Sequence, residues 1–146
     1  MFLSDEVKIS VVAPASAAGL TTINSTVIDT AGYDGVLFLT TFGTITAGGV
    51  QSIKVQQDTV VGMGGAADLA GSAITVADDD DGQSFWIDIR RPRERFVRCV
   101  VSRATQNSVV GEIYAFRYRG RVRQQINNVA NVITGEQWEG PAEGAA

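Results

Sequence analysis

Residues Val109 to Arg123 read VVGEIYAFRYRGRVR, and the alternation in this stretch decides the fold class. Successive side chains of a strand point to opposite faces. Glu112, Tyr114, Phe116 and Tyr118 therefore share one face, and Ile113, Ala115, Arg117, Arg119 and Arg121 share the other. The aromatic face is expected in the core. The opposite face turns basic towards its end.

Working backwards, the same strand grammar recurs. RFVRCVVSRA and SFWIDI are strand candidates, separated by RRPRE, whose Pro92 disfavours a central strand position. The polar TQNS suits a hairpin turn. QSIKVQQD alternates, with Ile53 and Val55 on one face and Lys54 and Gln56 on a wet one. VLFLTTFG is a nearly continuous apolar run, expected to be covered on both sides. DTAGYDG, Asp29 to Gly35, is a turn by its chemistry.

Valine, isoleucine, threonine and alanine are abundant, and 16 glycines punctuate the 146 residues. That vocabulary, with turns every eight to twelve residues, predicts an all-β chain folded as an antiparallel β-sandwich or jelly roll. The domain is expected over 21–123. Residues 1–20 and 124–146 read as extended N-terminal and C-terminal arms, the first with a short strand from Val7 to Val12, the second too poor in apolar residues to join a core. The start, MFLSDEVKIS, has acids where a signal peptide needs a basic flank. No stretch is apolar for long enough to span a membrane as a helix, and no membrane role is expected.

Composition narrows the chemistry. There is no histidine, which removes the commonest general base, the histidine-dependent nucleophiles and the commonest zinc ligand. No catalytic residue, metal site or cofactor is expected. The single cysteine, Cys99, alternates with Val97 and Val101 and reads as a core thiol. The run Asp78 to Asp81 lacks the alternating ligands of a helix-flanked calcium loop and reads as a solvated connection or a counter-charge for arginines. VGMGGAADLAG lacks the lysine and hydroxyl of a phosphate loop. Carboxylate pairs suited to glycoside hydrolysis have no aromatic-rich cleft to serve. A carbohydrate-binding module would need an exposed aromatic platform, for which Phe85, Trp86 and Trp138 are the candidates.

Charge is segregated along the chain. Residues 1–89 carry −9, residues 90–123 carry +8 and residues 124–146 carry −3, for a net −4. Every arginine lies in the middle segment and both lysines lie outside it. Arginine presents a rigid fork of donors suited to carboxylates and interfaces, whereas patches for diffuse phosphate attraction more often mix in lysine. The expected interface residues are Arg90, Arg91, Arg93, Arg95, Arg98, Arg117, Arg119, Arg121 and Arg123. The pI near 4.7 argues for a protein partner over nucleic acid.

IDTAGYDGVLFLTTFGTITAGG, then SIKVQQ, AADLAGSAITVADDDDG, FWIDIRRPRERFVRCVVSRAT and GEIYAFRYR, together resemble a widespread family of small all-β virion proteins of tailed bacteriophages. The resemblance spans roughly Ile28 to Arg119. It implies a capsid decoration (cement) protein on the outer surface of the virion, with the major capsid protein as partner and a homotrimer at threefold positions. The segregated charges could link such a trimer, the acidic half of one copy meeting the arginines of the next. Tail and head-completion proteins are alternatives of the same shape.

Overall fold

The computed structural model describes residues 1–122, 125–137 and 139–140. After a single helical turn, α1 (Leu3–Glu6), every regular element is a strand: β1 (Val7–Ala13), β2 (Ser16–Gly19), β3 (Ile23–Asn24), β4 (Ile28–Asp29), β5 (Gly35–Ile45), β6 (Val50–Asp58), β7 (Ala67–Asp68), β8 (Ile74–Val76), β9 (Ser84–Arg90), β10 (Phe96–Ala104), β11 (Ser108–Val110) and β12 (Ile113–Tyr118). All the pairings between them are antiparallel.

Several short segments are halves of one bent strand. β1 and β2 lie along β12 and β11 respectively, and β11 and β12 both lie along the same edge of β5. β3 and β4 both pair with β10, and β7 and β8 both pair with β6. Merged in this way, the chain has eight strands in two sheets, ordered 1-8-3-6 and 2-7-4-5. That doubly wound order is a jelly roll, one of the two arrangements that the turn spacing predicts.

The core lies between the sheets. Val36, Phe38 and Phe42 from β5 face Ile53 and Val55 from β6 and Val97, Cys99 and Val101 from β10, all fully buried. The wet face expected for β6 carries Lys54, which pairs with Asp68 at 2.8 Å. Desolvation pushes the Cys99 thiol up to about 12, as expected of a core cysteine.

Besides VLFLTTFG, whose Leu37, Leu39 and Thr41 face outward rather than being covered as expected, two expectations are corrected. Ile113 and Ala115 of β12 are fully buried, whereas Tyr114, Phe116 and Tyr118 lie half-buried on the outer face. The reason is volume: Ala115 sits directly beside Phe38 in the sheet, so a small side chain is needed where that ring fills the interior. Tyr114 and Phe116 instead stack on each other outside, with ring centroids 6.3 Å apart. The second correction concerns the N-terminal arm. Residues 7–19 are integral to the first sheet, and Val12 and Ala13 join the core. The C-terminal segment also lies on the fold as far as it is described. Asn127 accepts from the Ile9 N–H at 2.9 Å and donates to the carbonyls of Ser4 and Val7, so its amide blocks the open edge of β1 as a neighbouring peptide would.

Gly35 is required where β5 begins. A Cβ there would collide with the ring and hydroxyl of Tyr118 and lie 2.7 Å from the Ile89 carbonyl oxygen. Gly35→Ala should cost about 1 to 3 kcal/mol, read as a lowered urea midpoint with an unchanged slope.

Candidate protein interface

The strand order sends alternate loops to opposite ends. Loops 30–34, 59–66 and 91–95, together with α1 and the chain after Tyr118, gather at one end. Loops 20–22, 46–49, 77–83 and 105–107 gather at the other, separated by the 11-residue length of β5, roughly 33 Å. Arg90, Arg91, Arg93, Arg95, Arg117, Arg119 and Arg121 collect at the first end and Asp78 to Asp81 at the second. The first end also carries Asp5, Glu6, Asp29, Asp34, Asp58 and Glu94, so the opposite charges of the sequence largely meet there.

Two aspartates from the DTAGYDG turn organise the arginine end. Asp29 holds Arg95 through two parallel bonds, Nε at 2.9 Å and Nη2 at 2.7 Å. The Arg95 guanidinium lies 5.1 Å from the Phe96 ring centroid. Arg117 donates to the Asp29 carbonyl at 3.1 Å and stacks 4.8 Å from the Tyr33 centroid. Asp34 takes three arginines: Arg90 at 3.3 Å, Arg91 at 3.2 Å and Arg119 at 3.8 Å. Hydrogen bonding, from Arg91 first and then Arg90, holds the Asp34 carboxyl below its ordinary value.

The remaining predicted interface residues separate. Arg93 and Arg121 are exposed and, among the described residues, make no side-chain ion pair or hydrogen bond. Arg98 does not join them: it lies on the outer face of the second sheet, donating Nε and Nη2 to Gln56. Arg123 lies outside the described residues. Sequence reasoning missed the organising role of Asp29 and Asp34. Their turn chemistry is visible, and Asp29 does accept from the Ala31 N–H in an Asx turn at 2.9 Å. Their arginines arrive from 56 to 88 residues further along the chain.

The acidic run braces its own end. Asp78 accepts from the Gly48 N–H, Asp81 from the Ile45 N–H, and Asp80 from Ala77 and Gln83. Because this run and the arginines sit at opposite ends, a contact between them stacks copies lengthwise rather than closing them around a threefold axis. Of the aromatic candidates, Phe85 packs inward, edge-on to Phe42 at 5.6 Å, and Trp138 lies outside the described residues. Trp86 is 60% exposed on the outer face of the first sheet.

Acid should report on the Asp29 pair. The Arg95 bonds hold the Asp29 carboxyl at about 2 against an ordinary 3.8. A depressed folded value means stabilisation is complete above 3.8 and is lost as pH falls from there through about 2. Asp29→Asn should therefore be less stable than wild type at neutral pH and should lose less stability across that window, followed by thermal melts at each pH.

No protein-family model matches the chain, and no curated protein is similar to it in sequence.

Proposed function

We propose that the chain is a structural virion protein of a tailed bacteriophage, a decoration protein that binds the capsid exterior and strengthens contacts between capsomers. The observation that carries this reading is the arginine end, where a rigid jelly roll presents Arg93 and Arg121 without internal partners beside three arginines sharing one carboxylate. Such a tip is suited to carboxylates on a protein surface. The motif resemblance supplies the surface, the major capsid protein. In this reading the protein acts by binding alone, without catalysis, cofactor, nucleic acid or membrane, and repetition over a symmetric shell turns modest contacts into firm attachment.

A homotrimer, in this reading, closes through the flank of the sandwich. The outer face of the first sheet presents Leu37, Leu39, Trp86, Tyr114 and Phe116 to a second copy, an aromatic surface without lysine, as interface centres are. Light scattering at low and high salt separates the possibilities. A trimer held by this face persists in salt, a lengthwise stack held by charge dissociates, and a monomer under both conditions removes the trimer.

Copy number tests the function. Quantitative mass spectrometry of purified virions should find the chain in hundreds of copies, alongside the major capsid protein. A handful of copies would make it a tail or head-completion protein, and none would end the virion reading.

A further inference from the structure

The carboxylate of Asp34 is over-neutralised. It carries one negative charge against the guanidinium groups of Arg90, Arg91 and Arg119, and the unpartnered Arg121 stands beside it. Arg90 and Arg91 reach Asp34 only through Nε, so their terminal amino groups make no hydrogen bond among the described residues. Beside Asp34 is an open pocket of about 260 Å³, lined by Gly32, Tyr33, Asp34, Arg119 and Arg121. Several water molecules' worth of space is available there, enough for an acidic side chain.

The frame of this pocket is rigid. Asp34 N–H donates to the Tyr118 carbonyl at 3.1 Å, Arg91 N–H to the Asp34 carbonyl at 2.8 Å, and Arg121 N–H to the Gly32 carbonyl at 2.9 Å. Arg91 and Arg119 are held in the left-handed region, with φ of 51° and 50°. Such backbone is costly outside glycine and persists where the surroundings impose it. Both strained residues direct their side chains to the same aspartate.

We propose that this pocket is a carboxylate-binding site that takes an aspartate or glutamate side chain from a protein partner. The proposal rests on reading the arginine end as the attachment surface, and it names the chemistry that surface recognises. Several features favour carboxylate over nucleic-acid phosphate. The donors are all arginine, whose planar fork matches a carboxylate. The chain carries net charge −4, and Asp29, Asp34, Asp58 and Glu94 stand among the arginines of this end, so an extended polyanion meets no continuous positive surface.

The test uses the full chain and a fluorescently labelled hexa-aspartate peptide with blocked ends, followed by anisotropy at low salt. The peptide should bind, lose affinity as salt rises, and be displaced by inorganic phosphate only at far higher concentration. Arg119→Gln with Arg121→Gln should weaken it at least tenfold, while Arg98→Gln, on the sheet face, should leave it unchanged. Should the double variant fail to fold, Arg121→Gln alone serves, because that side chain has no partner among the described residues to lose. Absence of peptide binding, equal binding by wild type and the pocket variants, or tighter binding of a single-stranded oligonucleotide would overturn the proposal. Shell binding that ignores the pocket variants would remove the site and keep the capsid reading. Peptide binding without shell binding would do the reverse.

Discussion

Arg103→Ala should destabilise the protein by about 3 to 4 kcal/mol, because it removes the donor of three bonds to backbone carbonyls. Arg103 is only 8% exposed and, like Arg98, stands apart from the arginine end. It donates Nε to the Thr21 carbonyl at 2.8 Å and Nη1 to the carbonyls of Ala17 and Ser108, each at 2.9 Å. One guanidinium thus ties β2, the crossover to β3, and β11 to β10, where the chain passes between sheets. Charge-assisted bonds are each worth about 1.5 to 3 kcal/mol, and alanine would leave the three carbonyls without their donor. Lysine keeps the charge but cannot present the fork, so Arg103→Lys should recover only part of the loss. Urea unfolding checks both, with Arg93→Ala as an exposed control expected within about 0.5 kcal/mol of wild type.

Phe42→Ala should cost about 4 kcal/mol, the largest loss expected from a single core position. Phe42 is fully buried, sits where β5 exchanges partners from β12 to β11, and meets Phe85 edge-on at 5.6 Å. Phenylalanine-to-alanine truncation in cores costs about 3 to 5 kcal/mol, with the aromatic pair contributing part of it. Phe42→Leu keeps most of the volume and should cost about 1 kcal/mol. Against a total stability of about 5 to 15 kcal/mol, the alanine variant should melt far below wild type in calorimetry.

What the residues disclosed, and what they hid, follows from the range of each interaction. Strand alternation is local, so the all-β sandwich class, the buried face of β6 and the core position of Cys99 were legible. Alternation divides β12 into two faces without saying which is inside. That choice depends on Phe38, the neighbour of Ala115, which lies far away in the chain. Residues 7–19 looked like an arm because Pro14 and small residues interrupt them, yet the long edge of β11 and β12 gives both halves a partner. The arginine cluster was visible as composition. Its division into paired Arg90, Arg91, Arg95 and Arg119, free Arg93 and Arg121, and distant Arg98 was not, because the partner carboxylates come from an early turn.

The central claim is that the arginine end attaches this jelly roll to a capsid shell. Co-sedimentation with shells assembled from the major capsid protein of the same genome tests it most directly, comparing wild type with Arg93→Ala/Arg121→Ala at rising salt. Wild type should pellet with the shells at a fixed ratio, and the variant, equally stable in urea, should stay in the supernatant at salt concentrations where wild type still binds. Wild type that remains in the supernatant at low salt, or a variant that pellets as wild type does, would contradict the account.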